Sequence, residues 1–341
     1  MINIQNIYYM LAYAFDVLHK EDYASLGQED FDNVLDMYTA ILSIGVNQLI
    51  KRGLGKEYIE ETDDTSSIAG KILLSESIKK NTLTNKRVVC VRDEFSKNTY
   101  INKILKTTCY HLIKSKFVNK KYKKTLKREI MFFADVDSLD IRHINWNSLS
   151  YHRNNRIYQM LISICYLVVH GLLLNKDLGK TNVTNFMDNQ KLYKLYERFV
   201  LKYYQRHFPE YAPKSCFIDW NIDDENNNLL PKMKTDITLS KNNKVLIIDT
   251  KMYNKMMQEY YNSKSQHSGN MYQIYSYVKN YDKQKTGDVL GMLLYARTDE
   301  DYIPDNEYNI DGNKIFVSSL DLNKDFSAIS LKLNEIVNLI L

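Results

Sequence analysis

The segment that most limits how this chain can fold is "LPKMKTDITLSKNNKVLIIDTKMY", residues 229–252. Its second half, "VLIIDTKMY", has the apolar character of a buried β-strand, yet Asp249 and Lys251 lie within it. A charged side chain in a core requires a partner or a function. This strand therefore predicts either a structural ion pair or a functional site.

The residues before this strand predict its partner in a β-hairpin. With "KNNK", residues 241–244, as a four-residue loop, the register puts Asp236 directly opposite Asp249. Side chains alternate along a strand, so Asp236, Asp249 and Lys251 are predicted to project from one face. The opposite face is predicted to enter the core with four apolar residues, Ile237, Leu239, Leu246 and Ile248. A three- or five-residue loop would spoil this register.

Two opposed carboxylates repel each other, because Cβ atoms at directly opposite strand positions are only about 5 Å apart. A divalent cation between Asp236 and Asp249 removes this repulsion, and Mg²⁺ is typically held by carboxylates, waters and phosphate oxygens. Lys251 can orient or deprotonate a metal-bound water and offset phosphate charge. The alternative is a purely structural ion pair between Asp249 and Lys251.

Two predicted helices supply further candidates. In "LYKLYERFV", residues 192–200, Glu197 falls near an apolar stripe, which is an unusual position for an unpaired acid. A solvated position at the edge of the stripe is the alternative. In "NMYQIYSYVKNY", residues 270–281, Gln273 and Tyr277 share a helix face and can hydrogen-bond a phosphate or the lysine. A Gln and a Tyr at this spacing are common, so this pair has little meaning without the hairpin.

The hydrophobic pattern changes near the middle of the chain, at the predicted linker "LNKDLGKTNVTN", residues 174–185. Before it the pattern predicts helices at 4–19, 33–52, 97–118 and 153–174, a basic helix after 118, and a polar, strand-like segment at 53–98. After it the pattern predicts helices at 188–207, 270–281 and 326–340, and strands at 216–221, 233–251, 289–296 and 314–319. We therefore predict an α/β protein with a helix-rich N-terminal domain that has a small β portion, residues 1–178, and a C-terminal α/β domain, residues 185–341.

A basic segment, "KSKFVNKKYKKTLKR" at residues 114–128, contains eight Lys or Arg and no acid. The net charge of the whole chain is only +5, so this local density indicates a surface that follows phosphates. The candidate DNA-binding residues are Lys120, Lys121, Lys123, Lys124, Lys127 and Arg128. A solvated helix face is the alternative. No segment resembles a helix or finger that reads bases.

Several other classes of protein are disfavoured. The four cysteines contain no C-x-x-C pair, which argues against a zinc ribbon or disulfide framework and fits a reducing cytoplasm. The N-terminus lacks the features of a signal peptide, and the apolar window at 157–174 predicts a buried helix rather than a membrane span. We expect no nucleotide-binding loop, because "GKT" at 179–181 has Leu174 where a Walker A motif requires Gly, and "GLGK" at 53–56 also fails the pattern.

Together the charged residues of the hairpin and the polar residues of the two neighbouring predicted helices resemble the PD-(D/E)xK nuclease superfamily. Asp236 takes the place of the first acid of the motif, and Asp249-Thr250-Lys251 reads as D-x-K. Glu197 corresponds to the acid on the preceding helix, and Gln273 with Tyr277 to the following Q-x-x-x-Y helix. The motif proline does not adjoin the acid here, because Pro231 lies five residues before Asp236. The resemblance implies a restriction-endonuclease-like domain in which Asp236, Asp249 and Glu197 bind Mg²⁺.

The order of motifs along nearly the whole chain resembles the McrC family, the nuclease subunits of McrBC modification-dependent restriction systems. It is carried by "NIYYMLAYAF" at 6–15, "GKILLSESIKK" at 70–80, "NKILKTT" at 102–108, "LYERFV" and the hairpin. The resemblance implies a McrB-like AAA+ GTPase hexamer as partner, which binds the GTP and recognises DNA containing modified cytosine, such as 5-methylcytosine.

In this family the N-terminal domain docks on the hexamer and stimulates GTP hydrolysis, and the subunit cuts double-stranded DNA. The resemblance thus implies a Mg²⁺-dependent endonuclease in which Lys251 prepares the attacking water and Gln273 with Tyr277 steadies the site. Two alternatives stay open at this point. One is a regulatory adaptor of the GTPase with an inactive nuclease domain, and the other is a stand-alone structure-specific nuclease.

Overall fold

The computed structural model describes residues 2–16, 23, 25–68, 70–151, 156–178, 189–223, 229–252, 257–260, 263–297 and 304–341. The chain forms two compact units. The helical unit comprises residues 35–173, and the sheet unit comprises residues 1–34 together with 174–341. The predicted linker begins at residue 174, where the sheet unit resumes after the helical unit. Residues 179–185 of the linker, which include "GKT", lie outside the described residues.

The described α-helices follow the predicted periodicity closely. They are α1 (Ile4–Ala14), α2 (Val34–Arg52), α3 (Leu74–Lys79), α4 (Tyr100–Lys114), α5 (Lys120–Ile130), α6 (Arg156–Leu178), α7 (Asn189–His207), α8 (Ser268–Tyr281) and α9 (Phe326–Val337). Residues 17–19 of the first predicted helix lie outside the described residues. Helix α3 was not predicted, because it is short and its Leu74 and Ile78 are exposed rather than part of an apolar face.

The described strands are β1 (Glu57–Thr65), β2 (Lys71–Ile72), β3 (Val88–Ser96), β4 (Phe217–Ile218), β5 (Met233–Lys234), β6 (Ile237–Lys241), β7 (Lys244–Lys251), β8 (Met257–Tyr260), β9 (Ser263–Gln266), β10 (Val289–Arg297), β11 (Asn306–Ile310) and β12 (Asn313–Asp321). In the helical unit, β1, β3 and β2 form an antiparallel sheet. Strands β8, β9 and β11 were not predicted, because their polar sequences lack the apolar alternation that indicates a strand.

The main sheet of the sheet unit has the strand order β11-β12-β10-β7-β6 among the described strands. Its strands β7, β10 and β12 are parallel, whereas β6 and β11 are antiparallel edge strands. Parallel strands covered on both faces are apolar throughout, and β10 is buried at every position except its last. The predicted mixed α/β class is therefore confirmed.

The predicted register of the hairpin is confirmed, although the loop is shorter than predicted. Ser240 pairs with Val245, and the ladder runs to the pair Ile237–Ile248. Lys241 pairs with Lys244, so the loop contains only Asn242 and Asn243. Asn242 adopts a positive φ of 55°, a conformation that Asn tolerates better than most residues and that a tight two-residue turn requires.

The prediction that only one face of β7 enters the core was incomplete. Leu246 and Ile248 are fully buried as predicted, but Ile247 on the opposite face is fully buried too. Ile247 packs in a cluster with Ile274 and Val278 of α8. Asp249 and Lys251 thus lie on a face that a helix covers, and this covering brings α8 to the predicted site.

Gly291 of β10 allows α8 to approach the sheet closely. A Cβ atom at this position would lie 2.8 Å from both Ile274 Cγ1 and Val278 Cγ2. Such distances are shorter than carbon–carbon contacts allow, so any larger residue would push α8 away from the sheet. We expect Gly291→Ala to reduce the free energy of unfolding by about 1–3 kcal/mol, as overpacking does in other cores.

Gly269→Ala is the matched control for this prediction. Gly269 lies in the first turn of the same helix, and a Cβ there would meet nothing within 4 Å. The change is expected to be neutral or to stabilise the helix slightly, since Ala has the higher helix propensity. Denaturant melts followed by circular dichroism would measure both variants, and equal midpoints for the two would contradict the packing role of Gly291.

Residues 1–34 belong to the sheet unit, which differs from the predicted N-terminal domain of residues 1–178. Asn6 Nδ2 donates a hydrogen bond to the Leu322 carbonyl at 2.8 Å. The Tyr9 ring stacks on Phe326 with centroids 4.1 Å apart, and Tyr13 packs edge-on against Phe199. The sequence pattern predicts a helix here but not its partner, because an apolar face can pack on any other apolar face.

Candidate functional site

A chain of polar contacts links β7 to α8. Lys251 Nζ lies 2.5 Å from Asp249 Oδ2 and donates a hydrogen bond to Gln273 Oε1 at 3.0 Å. Gln273 Nε2 in turn donates to the Tyr277 hydroxyl at 2.9 Å. The structure therefore brings together four of the predicted site residues, and it orients the Gln273 amide with its oxygen toward the ammonium.

Asp249 is one of the most buried charged groups among the described residues. Its exposed fraction is 1% and that of Lys251 is 7%. The nearest partner of Asp249 Oδ2 is the Lys251 ammonium, and the two groups form a buried ion pair. Burial and the Asp236 carboxylate raise the pKa of Asp249, although the Lys251 ammonium lowers it. A second positive group near this oxygen would stabilise the charged form.

Asp236 lies just before β6, where the ladder between β6 and β7 has already ended. Its Oδ2 accepts hydrogen bonds from the Thr250 amide at 2.8 Å, from Thr250 Oγ1 at 2.7 Å and from the Tyr193 hydroxyl at 3.3 Å. The predicted ladder pair of Asp236 and Asp249 is therefore not formed. The Asp236 carboxylate instead accepts from the backbone amide of Thr250, the residue that follows Asp249 on β7.

Glu197 of α7 lies beside the same group of acids. The pKa of Glu197 is raised to about 7, first by burial and then by the Asp236 and Asp249 carboxylates, whose effect the Lys234 ammonium partly offsets. A carboxyl with neighbouring carboxylates titrates high because like charges disfavour its ionised form. Glu197 is half-buried, which differs from the freely solvated edge position that was the alternative.

Sequence reasoning missed Tyr193 and Thr250 as members of the site. Tyr193 is one helical turn before Glu197 and so lies on the same face of α7, which is the signal that could have identified it. Burial and the carboxylates of Asp236, Asp249 and Glu197 raise the pKa of Tyr193, so its phenol stays a hydrogen-bond donor. Thr250 was passed over because it is the variable residue of D-x-K.

The residues present offer a partial fit to a divalent cation. In the part of the chain that the structure describes, no group of three or more His, Cys, Asp or Glu side chains is arranged to hold a metal ion. Asp236 and Asp249 nevertheless supply hard oxygen donors, and they lie close enough for the Asp236 carboxylate to raise the pKa of Asp249. Mg²⁺ commonly uses one or two carboxylates and completes its shell with water and phosphate oxygens, so these two acids suffice.

The predicted DNA-binding residues lie on α5 in the helical unit. Lys120, Lys121, Lys124, Lys127 and Arg128 are exposed, and Lys123 is partly buried. The opposite face of α5 is anchored by Leu126 and by Glu129, whose Oε2 accepts a hydrogen bond from Ser43 Oγ at 2.6 Å. The backbone amide of Asn119, just before the helix begins, donates a hydrogen bond to Asp36 Oδ1 at 2.7 Å. These contacts leave the basic face available to solvent.

The fold and the site define a mixed α/β protein in which an edge hairpin and two helices surround a buried acid–lysine pair. No described helix is long and apolar enough to span a bilayer. The chain belongs to the McrBC family: the family model for "McrBC 5-methylcytosine restriction system component" matches residues 3–296. This family is the one indicated by the sequence motifs.

Similar proteins agree with this assignment. The chain is 28% identical over 340 residues to the type IV methyl-directed restriction enzyme EcoKMcrBC of Escherichia coli K12, covering 98% of this chain and 97% of that protein. It is also similar in fold to a solved structure of Thermococcus gammatolerans McrB AAA+ hexamers with bound McrC. That likeness has a TM-score of 0.51 and 16% identity, and covers 99% of this chain and 76% of the other.

Proposed function

We propose that this chain is the DNA-cleaving subunit of a McrBC-type restriction system, with the sheet unit as a PD-(D/E)xK nuclease domain. The observation that carries the proposal is the buried Asp249–Lys251 pair, which lies close to two further acids, Asp236 and Glu197. A purely structural pair joins one acid to one base, whereas here a single buried lysine lies among several carboxylates, whose mutual repulsion a bound cation would relieve. Homology to a restriction enzyme supports the same conclusion.

The reaction proposed is hydrolysis of a phosphodiester bond in double-stranded DNA. Mg²⁺ bound by Asp236 and Asp249, with Glu197 in support, would lower the pKa of a coordinated water and neutralise charge on the phosphate. Lys251 would orient that water as an ammonium or, as a neutral amine, would accept its proton, and the ammonium form offsets charge at the phosphate. Gln273 holds the lysine through the 3.0 Å hydrogen bond, and Tyr277 holds Gln273.

The proposed partner is a McrB-like AAA+ GTPase hexamer that binds the GTP and recognises modified cytosine. Its support is the family assignment and the fold likeness to McrC bound to McrB hexamers. We propose that the helical unit, residues 35–173, docks on this partner and stimulates its GTP hydrolysis. The basic face of α5 would contact the phosphates of the DNA.

The test is cleavage of DNA containing 5-methylcytosine by the purified chain together with its GTPase partner. With GTP and Mg²⁺ we expect double-strand cuts, and with a chelator we expect no cuts while partner binding continues. Unmodified DNA is the control substrate. Cutting in the presence of the chelator would refute the metal-dependent mechanism, and efficient cutting without the partner would instead favour a stand-alone nuclease.

Two observations favour a second candidate function, a GTPase adaptor whose nuclease domain is inactive. The described residues contain no three-acid metal cluster, and Lys251 occupies the approach to Asp249 Oδ2. An adaptor would raise the GTPase rate of the partner without cutting any DNA. Measuring phosphate release and DNA cleavage in the same reaction separates the two functions, since only the nuclease gives both.

A further inference from the structure

Every hydrogen bond from a described residue to Asp236 ends on one oxygen, Oδ2. The three donors are the Thr250 amide, the Thr250 hydroxyl and the Tyr193 hydroxyl. A carboxylate oxygen has about two lone pairs, so three donors saturate Oδ2 and leave the lone pairs of Oδ1 for another ligand. This asymmetry is unlike that of a solvated carboxylate, in which water shares both oxygens.

The contacts arise from the end of the β6–β7 ladder. The last paired residues are Ile237 and Ile248, so the Thr250 amide lies beyond the ladder and has the Asp236 carboxylate as its acceptor. Thr250 is fully buried, and its hydroxyl reaches the same oxygen as its amide. Tyr193 approaches from α7, a separate element, so Asp236 is held from two directions.

We propose that Thr250 and Tyr193 form a clamp that positions Asp236 for a divalent cation by occupying Oδ2 and presenting Oδ1. Thr250 and Tyr193 are positioning residues in this assignment, because they act through Asp236. Thr250, which occupies the variable position of D-x-K, thereby has a role in this chain: its hydroxyl helps to hold Asp236. The inference rests on the proposed function and adds to it the residues that tune metal affinity.

The first test uses Thr250→Val, which keeps the β-branched shape and removes the hydroxyl, and Thr250→Ser, which keeps the hydroxyl. Titration calorimetry of Mn²⁺ into the full chain is expected to show affinity about 10–100-fold weaker for Thr250→Val, as for other residues that orient metal ligands. Thr250→Ser is expected to restore affinity to within a few-fold of the original chain. Tyr193→Phe is expected to weaken binding about fivefold, since its hydrogen bond is longer.

Tyr196→Phe is the matched control for the tyrosine. Tyr196 lies on the same helix, and its buried hydroxyl has no hydrogen-bond partner among the described residues. Its loss is expected to leave Mn²⁺ affinity unchanged. A general loss of packing would weaken binding in Thr250→Ser and Tyr196→Phe as much as in Thr250→Val, and that result would overturn the clamp.

A second readout follows cutting by the complex with its GTPase partner as Mg²⁺ is varied. For Thr250→Val we expect a higher Mg²⁺ concentration at half-maximal rate and a nearly normal rate at saturation. If the original chain binds Mn²⁺ and Thr250→Val binds it equally well, the clamp is refuted while the proposed function stands. If the original chain binds no Mn²⁺, the clamp and the proposed metal-dependent function are refuted together.

Discussion

The double substitution Asp249→Asn with Lys251→Met is expected to abolish DNA cutting by the complex while the chain stays folded and continues to stimulate the GTPase. Loss of a general acid–base group, which is the role proposed for Lys251, by itself lowers rates by about 10²–10⁴-fold. Asp249→Asn removes a carboxylate that the proposed metal site requires, so the combined loss should place cutting below detection. Cleavage of methylated DNA and GTP hydrolysis, measured in one reaction, provide the test.

The double change is preferable to either single change because the pair is buried. Lys251 is 7% exposed, and removing only Asp249 would leave its ammonium without a countercharge. Breaking a buried ion pair from one side destabilises a protein by about 3–5 kcal/mol, whereas replacing both partners is often neutral. A single Asp249→Asn change would therefore stop cutting by unfolding the sheet unit, whatever the role of Asp249 in the chemistry.

The structural-pair alternative makes the opposite prediction for this double variant. If Asp249 and Lys251 served only to stabilise the sheet, a well-packed neutral pair would leave cutting close to its original rate. Thermal melts would verify that the fold is kept. Retained cutting by a folded double variant would refute the assignment of the active site. Loss of GTPase stimulation would show that the two substitutions also disturb structure outside the sheet unit.

Neutralising the basic face of α5 is expected to have the second-largest effect, on DNA affinity. We would replace Lys120, Lys124, Lys127 and Arg128 by Gln, since all four are exposed and face away from the buried Leu126. If each residue contacts one phosphate, the log–log slope of affinity against salt should fall by about 0.9 per residue, or roughly 3.6 in total. Fluorescence anisotropy with duplex DNA over a range of salt concentrations would measure the slope.

An equal loss of charge elsewhere separates a specific surface from a general electrostatic effect. Lys51, Lys71, Lys80 and Lys283 are exposed lysines outside α5, so their replacement by Gln gives the same net charge. We expect this control to change the slope by less than one unit. Identical slopes for the two quadruple variants would mean that α5 is an ordinary solvated helix face.

Much of this fold was predictable from local pattern. The hairpin register followed from counting outward from "KNNK", and it survived an error in loop length because Lys241 and Lys244 simply became the last pair. Helices such as α2, α7 and α8 followed from apolar periodicity within a residue or two of their ends. Strands β8, β9 and β11 were not predicted, because a polar strand at an edge is held by hydrogen bonds to the backbone of its neighbour and its sequence shows no apolar alternation.

The candidate site was predictable in its residues more than in its geometry. Asp249 and Lys251 could be named because charges in a buried strand are conspicuous. Gln273 and Tyr277 could be named only together with the hairpin, because they share one face of the helix that follows it. The direction of the Asp236 carboxylate was not predictable, because it depends on where the ladder ends and which amide is left without an acceptor. Tyr193 was likewise hidden, since a tyrosine in an apolar helix usually signals packing.

The amino-acid sequence by itself determined the α/β class, the hairpin register and the residues capable of the chemistry, because these depend on alternation, spacing and charge along short segments. Only the tertiary structure decided that residues 1–34 pack with the C-terminal half, that α8 covers the acid-bearing face of β7, and that Thr250 and Tyr193 hold Asp236. These are contacts between segments far apart in the chain. Which apolar faces meet, and which buried donors find acceptors, is settled only when the whole core closes.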